Sequence, residues 1–225
     1  MRKSELTKQS LFRTAVEMIA REGFEATTMR AVAAKAGVAP GAIYYYFESK
    51  ESLIQEYYRQ SHADHIKALE GFLETETSFE KRLHRVVTSK IEVALPYKNM
   101  ARALFRIAGD PASRLSPFSD ESRDLRLEAV KLFEEVVRGS DSKFHAELAP
   151  MLPKYLWLYM MGVILFWIYD KSESSKNTFS FIDKTVPLIA SLNDTIMSPL
   201  AAPFRKKIIS LLKSFEPDLG EKAGA

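Results

Sequence analysis

Apolar residues recur along most of this chain at intervals of three and four positions, the spacing that places side chains on one face of an α-helix. The first segment shows this clearly, because Leu11, Phe12, Ala15, Val16 and Ile19 form a single stripe. Alternation with a period of two, which is typical of a half-buried strand, is scarce. The pattern therefore predicts an all-α protein.

Glycine, proline and capping residues indicate where the predicted helices begin and end. Gly23 ends the first helix, Thr28 caps the second, Gly37 ends it, and Ser49 caps a long fourth helix. Pro187 falls inside a later segment and is expected to kink or shorten it. The predicted helices span residues 6–22, 29–36, 40–46, 50–74, 78–95, 97–108, 120–138, 153–170, 178–196 and 199–215.

The stretch from Thr27 to Lys50 predicts two short helices joined by a tight turn at residues 36–38. Gly37 suits that turn because glycine adopts positive φ without strain. Alanines at positions 33, 34 and 36 allow the two helices to approach closely. Such a pair is a helix-turn-helix, whose second helix enters the major groove of DNA.

Four short motifs occur in a fixed order here: Arg-Glu-Gly-Phe, Ala-Thr-Thr-x-Arg, Ala-x-x-Ala-Gly-Val and Ile-Tyr-Tyr-Tyr-Phe-x-Ser-Lys-Glu-x-Leu. Over residues 7–55 this order resembles the DNA-binding domain of TetR/AcrR-family transcriptional regulators. The resemblance implies an N-terminal three-helix helix-turn-helix domain, placed at residues 1–50. It also implies a larger helical effector-binding and dimerisation domain, placed at residues 51–225. That larger part is similar to the family only in helical character and length, so no particular ligand is implied.

Side chains able to contact DNA occur at defined points of the motif. Thr28 heads the second helix, where its hydroxyl and backbone N–H groups can hold a phosphate. Arg30, one turn further, can donate to guanine O6 and N7 or to a phosphate. Tyr44 and Tyr45 can donate to phosphates, and Lys50 adds a phosphate clamp. Three consecutive tyrosines cannot all face one core, because successive helical residues point about 100° apart.

The exposed positions of the recognition helix carry no polar side chain, which departs from the resemblance. Ala39, Pro40, Gly41 and Ala42 stand where family members often have Ser, Thr, Lys or Gln. These four residues can offer only apolar contact, for instance to thymine methyl groups. We therefore expect base readout to fall on Arg30 and the tyrosines, with DNA shape supplying the rest.

The longest uncharged apolar stretch, residues 156–169, predicts a helix that is covered on all sides. It is shorter than the ~20 residues that span a membrane, so a buried helix is predicted rather than a membrane segment. The resemblance implies that the helices at 153–170 and 178–196 form a homodimer interface. A charge at Val163 or Trp167 is therefore expected to give monomer or insoluble protein. Plain core is the alternative interpretation of the stretch.

Methionine and aromatic residues in the larger part suit an adaptable apolar pocket. Residues of this kind include Phe72, Met100 and Leu104, and plain core is the competing interpretation for each of them as well as for each residue of the predicted pocket. A neutral or amphiphilic lipophile is the first candidate effector, since no acidic pair suggests a cation site. The predicted effector-binding residues are Phe105, Phe133, Trp157, Met160 and Met161.

Composition and motifs limit the kinds of metal site, cofactor and enzyme activity that the chain can have. A net charge of +3 neither requires nor excludes DNA, and the absence of cysteine excludes thiolate metal sites and fits a reducing cytoplasm. His62 and His65 share a helix face, but a solvated pair is favoured over a metal site. Nucleophile-elbow, P-loop, dinucleotide-binding and zinc-protease motifs are missing, so neither enzyme activity nor a cofactor is predicted.

These observations predict a cytoplasmic, ligand-responsive transcriptional regulator that binds double-stranded DNA as a homodimer. We expect a repressor that is released from a palindromic operator by a small apolar or amphiphilic effector, because the effector binds the state that does not bind DNA. A transcriptional activator and a non-specific structural DNA-binding protein are the alternatives.

Overall fold

The computed structural model describes residues 3–215 together with Pro217 and Leu219. These residues form α-helices joined by turns, and no strand occurs among them, which confirms the all-α prediction. The helices are α1 Lys3–Glu22, α2 Met29–Lys35, α3 Ile43–Tyr46, α4 Lys50–Lys67, α5 Phe72–Thr75, α6 Phe79–Ala94, α7 Lys98–Ala108, α8 Arg123–Arg138, α9 Leu152–Tyr169, α10 Lys176–Met197 and α11 Ala202–Ser214.

The predicted end of the fourth helix is wrong. The fourth helix ends at Lys67 rather than near residue 74, and Gly71 then adopts a left-handed conformation with φ of 78° before α5 begins. The helix that contains Pro187 agrees with its predicted span, since α10 runs from Lys176 to Met197, so Pro187 does not shorten it. Ser49 caps α4 as predicted, because its hydroxyl accepts from the Ser52 backbone N–H at 3.1 Å.

The chain divides into two compact units, Met1–Ala63 with Ala94–Leu125 and Asp64–Val93 with Arg126–Ala225. The predicted boundary near Glu51 coincides with none of these divisions. In the first unit, α1, α2, α3 and the start of α4 surround one apolar core that includes Ile19, Ile43 and Phe47. Met100 and Leu104 from α7 belong to this same core, so residues 94–125 fold with the helix-turn-helix.

In the second unit, α6 is buried along one face through Leu83, Val86, Val87 and Ile91. Arg82, at the start of that helix, is also buried and donates hydrogen bonds to four backbone carbonyls. Its guanidinium contacts the carbonyl oxygens of Leu73, Glu76, Glu135 and Val136 at 2.5–3.1 Å. It thereby adds hydrogen bonds to two carbonyls in the last turn of α8, of which that of Glu135 also accepts from the Gly139 N–H at 3.0 Å.

The faces of α9 differ in burial although the sequence is apolar all round. Val163 and Trp167 are buried inside the unit, whereas Leu165, Phe166 and Tyr169 are exposed. By length and composition alone α9 is able to cross a membrane. Its packing within the unit covers one face only, and that leaves an apolar face open.

Asp170 joins α9 to α10 through four hydrogen bonds to its carboxylate. Oδ1 accepts from the backbone N–H and hydroxyl of Ser172, and Oδ2 accepts from the same two groups of Thr178, at 2.6–2.9 Å. Burial by itself raises the pKa of Asp170, but these bonds together outweigh burial and hold the pKa well below its usual value of 3.8.

Replacing Asp170 with Asn is expected to lower the free energy of unfolding by about 1–3 kcal/mol at pH 7, because an amide NH₂ would face one of these donors. A depressed pKa stabilises the fold above the unfolded pKa and loses that effect as pH falls through the folded pKa. The difference between wild type and Asp170→Asn is therefore constant down to about pH 5 and shrinks below about pH 4. Urea unfolding of both proteins across this pH range measures the difference in the free energy of unfolding. Asp194→Asn, at an exposed position, is the control. A difference that grows on acidification would contradict the assignment.

Candidate nucleic-acid interface

Thr28 forms the N-cap of α2, with an extended backbone and a side-chain oxygen that accepts from the Ala31 N–H at 3.2 Å. Thr28 and Arg30 are both exposed. A hydroxyl that accepts a hydrogen bond keeps its own hydrogen to donate. Thr28 can therefore cap the helix and donate to a phosphate at the same time.

The turn after α2 has the hydrogen bonds of a Schellman motif. The N–H of Val38 donates to the Ala33 carbonyl at 3.0 Å, and the N–H of Gly37 donates to the Ala34 carbonyl at 3.1 Å. Gly37 has a φ of 73°, a conformation that residues with a Cβ rarely adopt. The predicted tight turn is confirmed, and it fixes the angle at which the chain leaves α2.

The recognition helix begins later than residue 40, the predicted start, because α3 covers only Ile43–Tyr46. Before it, the N–H of Ala42 donates to the Ala39 carbonyl at 2.9 Å, a turn of the tighter three-residue kind. Pro40 lacks an N–H, and no side chain caps α3. Ala39, Pro40 and Gly41 are exposed, whereas Ala42 is half-buried.

The three tyrosines of α3 divide between solvent and core. Tyr45 is 83% exposed and Tyr44 is 51% exposed, whereas Tyr46 packs against the core of the first unit. Tyr45 and Tyr46 also contact edge to face at 5.1 Å between ring centroids. The prediction that at least one tyrosine is exposed is confirmed, and two phenolic hydroxyls are available to a phosphate.

Lys50 has a structural role that the sequence did not reveal. Its ammonium donates to the carbonyl oxygens of Phe24 at 2.5 Å and Thr27 at 3.1 Å, and it lies 4.0 Å from the Phe24 ring centroid. It therefore ties the start of α4 to the loop that precedes α2. An ammonium has three donors, so one is left for a phosphate.

Two family descriptions match this chain. Residues 11–57 match the bacterial regulatory proteins of the tetR family, and residues 82–208 match the tetracyclin repressor-like C-terminal domain. The second match alone covers more than half of the 225 residues.

The chain belongs to the TetR family. It is therefore a DNA-binding transcriptional regulator, and its helix-turn-helix is the DNA-binding element of that family. TetR-family regulators are in general transcription factors without enzymatic activity.

Curated TetR-family relatives share moderate identity with the chain. The transcriptional repressor KstR2 of Mycolicibacterium smegmatis is 27% identical over 145 residues, covering 63% of this chain and 69% of the relative. The fatty acid metabolism regulator protein of Bacillus subtilis is 28% identical over 87 residues, covering 39% of this chain. The chain spans less than half of that regulator, since the match covers 45% of it.

Solved TetR-family structures share the fold at low identity. A TetR-family regulator from Syntrophomonas wolfei has a TM-score of 0.69 at 16% identity, covering 84% of this chain and 97% of its own. The FadR regulator of Bacillus subtilis, solved with stearoyl-CoA, has a TM-score of 0.61 at 16% identity, covering 79% of this chain and 97% of its own. At such identities the likeness shows the fold alone.

The predicted effector-binding residues do not all fall in the same unit. Phe105 is half-buried and belongs to the first unit, whereas the other four belong to the second. Phe133, Trp157 and Met160 are buried and Met161 is half-buried. Their role in binding an effector stays a prediction.

The two histidines predicted as a solvated pair differ in environment. His65 is buried, and its Nε2 lies 2.9 Å from the Val86 carbonyl oxygen, so the solvated interpretation is wrong for this residue. His62 is half-buried. Among residues 3–215, Pro217 and Leu219, no group of three or more His, Asp or Glu side chains is arranged to hold a metal ion.

Proposed function

We propose that this TetR-family regulator is a cytoplasmic repressor that leaves a palindromic operator when a small lipophilic effector binds. The observation that carries the DNA half of the proposal is the exposure of Thr28, Arg30, Tyr44 and Tyr45 on an otherwise well-packed helix-turn-helix. A repressor is favoured over an activator because KstR2 carries that description. A lipophilic effector is favoured because FadR was solved with stearoyl-CoA.

A homodimer through α9 and α10 supports recognition of a palindrome, because a two-fold axis in the protein matches one in the DNA. Both helices carry exposed apolar side chains: Leu165, Phe166 and Tyr169 on α9, and Phe181, Leu188 and Leu192 on α10. Gly162 of α9 is exposed, and a Cβ there would meet no atom within 4 Å. Phe166 and Phe181 stack on each other, and exposed apolar surface of this kind typically marks a protein–protein interface.

The proposed effector site lies within the second unit, at Phe133, Trp157, Met160 and Met161. Phe105 is not included, because it belongs to the first unit. Aromatic and thioether side chains adapt to an apolar ligand by changing rotamer, so buried residues of this kind can open a pocket. The effector shifts the population only if it binds the DNA-free state more tightly than the DNA-bound state.

The fourth helix is the proposed connection between effector and DNA. It begins in the first unit, directly after the recognition helix, and its last residues belong to the second unit. We expect effector binding to displace α4 and so to change the separation of the two recognition helices in the dimer. Two helices that no longer match successive major grooves lose affinity for the operator.

Selection from a random-sequence DNA pool is expected to enrich an inverted repeat whose half-sites lie about one helical turn apart, or a multiple of it. The reason is that a two-fold dimer presents two equivalent recognition helices. Sequencing of the bound pool measures the repeat, and a reporter placed behind it distinguishes repression from activation. Binding of all sequences with equal affinity would instead support a non-specific structural DNA-binding protein.

A further inference from the structure

The outward face of α11 carries a row of exposed apolar side chains. Phe204 is 70% exposed, Leu211 is 58% exposed, and Phe215, which directly follows the last residue of the helix, is 71% exposed. Positions spaced i, i+7 and i+11 lie within about 40° of each other around a helix and extend about 16 Å along it. Ile209 lies on the opposite side and is buried in an apolar cluster with Leu148. The helix therefore packs through one face and leaves a second apolar face open to solvent.

Positive charge is concentrated in the same segment. Residues 199–215 contain no acidic residue and four cations, whereas the whole chain has a net charge of only +3. The four cations are Arg205, Lys206, Lys207 and Lys213. Lys213 is paired with the Glu147 carboxylate at 2.5 Å. Lys206 and Lys207 are exposed, and neither forms an ion pair with any residue that the structure describes, so both are available to an anion outside the protomer.

The cations and the apolar side chains share one surface. A shallow groove of about 430 Å³ lies along α11 and is lined by Lys206, Lys207, Ser210, Leu211, Ser214 and Phe215. A partner that fits this surface supplies negative charge and apolar cover together.

Charge and polarity separate the possible partners of this surface. A two-fold contact between two copies of α11 would place four cations against four, which disfavours a second copy. Duplex DNA supplies phosphates, but it covers a phenylalanine only where the ring inserts between base pairs. An anionic lipid bilayer supplies phosphates and acyl chains side by side, in the arrangement that a basic amphipathic helix recognises.

We propose that α11 binds the surface of an anionic lipid bilayer. Phe204, Leu211 and Phe215 insert at the boundary between head groups and acyl chains, and Lys206 and Lys207 bind the lipid phosphates. Amphipathic helices with cations on one face and Phe or Leu on the other lie in the membrane plane, with the apolar face about 5–10 Å into this boundary. The inference goes beyond the proposed function, and it depends on neither the operator nor the effector.

The first experiment measures co-sedimentation of the full-length protein with two kinds of vesicle, phosphatidylcholine alone and phosphatidylcholine mixed equally with phosphatidylglycerol. We expect binding to the mixed vesicles that weakens as salt is added, and at least about tenfold weaker binding to the neutral vesicles. Equal binding to the two kinds of vesicle, or binding to neither, would overturn the proposal.

A pair of lysine substitutions tests the contribution of charge. Lys206→Gln combined with Lys207→Gln removes two cations, each of which contributes about fivefold to affinity near an anionic surface, so binding to the mixed vesicles should weaken about 20-fold. Lys171→Gln combined with Lys176→Gln removes the same charge from exposed positions outside α11 and is expected to have a much smaller effect. Equal losses in the two double variants would show attraction by net charge alone and exclude α11 as the site.

Phe204→Gln tests the apolar contribution. It is expected to weaken binding to the mixed vesicles about tenfold, because a phenyl ring is no longer buried among acyl chains. Phe118→Gln, at an exposed position of the first unit, is the control. The dimer mass and operator affinity of Phe204→Gln are expected to match wild type. A monomeric Phe204→Gln protein would assign the row to a contact between copies of the chain, and a loss of operator affinity in a dimeric one would assign it to DNA, and either result would overturn the proposal.

A fluorescent label locates the contact on the protein. The chain contains no cysteine, so Ser214→Cys introduces a unique thiol beside the apolar row, and Lys171→Cys introduces one at an exposed position after α9. Each thiol is labelled with a fluorophore whose emission depends on the polarity of its surroundings. On the mixed vesicles we expect the emission at position 214 to shift to shorter wavelength and the emission at position 171 to stay unchanged. Vesicle binding without a shift at position 214 would place the membrane contact elsewhere and overturn the proposal.

Discussion

Phe166→Glu is expected to convert the dimer into monomers and to remove most of the operator binding. Phe166 is 41% exposed on α9 and stacks on Phe181 of α10, with ring centroids 5.0 Å apart. In a two-fold interface each substitution occurs twice, so two unpaired carboxylates would be buried in an apolar contact. Burial of each costs several kcal/mol, which is enough to prevent association of a typical dimer.

Light scattering and an operator titration measure both parts of this prediction. Phe118→Glu is the matched control, because Phe118 is 56% exposed and belongs to the first unit, away from α9 and α10 in the chain. Its dimer mass and operator affinity are expected to stay close to those of wild type. A Phe166→Glu protein with the dimer mass would place the interface on other helices.

Charges at Val163 or Trp167, the positions nominated from the sequence, do not test the interface. Both side chains are buried within the protomer, so a charge at either position unfolds the chain before association is measured. The sequence could not make this distinction, because a helix that is apolar on every side has no periodicity to show which face meets its own core.

The helix-turn-helix was predictable because local signals specify it. Gly37 in a left-handed turn, Thr28 as an N-cap and an apolar stripe on α1 each depend on residues close in the sequence. The end of α4 also has a local signal, because Gly71 adopts a left-handed conformation four residues after Lys67. Met100 and Leu104 were grouped with the larger domain, although they complete the core of the first unit, since long-range contacts leave no periodic mark.

Lys50 shows the same limit at the level of a single side chain. Its position after Ser49 predicted a phosphate clamp, but nothing in the spacing indicates that its ammonium also bonds to Phe24 and Thr27 across more than twenty residues. Replacing Lys50 is therefore expected to have two effects. Lys50→Ala loses a phosphate donor and also frees the loop before α2, so we expect a loss of stability of about 1–3 kcal/mol besides weaker DNA binding.

Alanine substitutions of Arg30 and Lys50 are expected to separate the contribution of base readout to DNA affinity from that of phosphate binding. Arg30 is exposed on α2, and Ala39 to Ala42 offer no polar group to a base edge. Arg30→Ala should therefore cost about 1–3 kcal/mol per half-site on the operator and little on random DNA. Lys50→Ala should weaken both duplexes alike and reduce the salt slope by roughly one unit per phosphate contact in each subunit.

The measurement is a titration of each variant on operator and random duplexes at several salt concentrations. Lys35→Ala removes a charge from the exposed end of the same helix as Arg30 and serves as the control for net charge. If Arg30→Ala weakens both duplexes in parallel, Arg30 is one more phosphate contact. Specificity would then depend on DNA shape and on apolar contacts from Pro40 and Ala42, because residues 39–42 have no side chain that reads a base by hydrogen bonding.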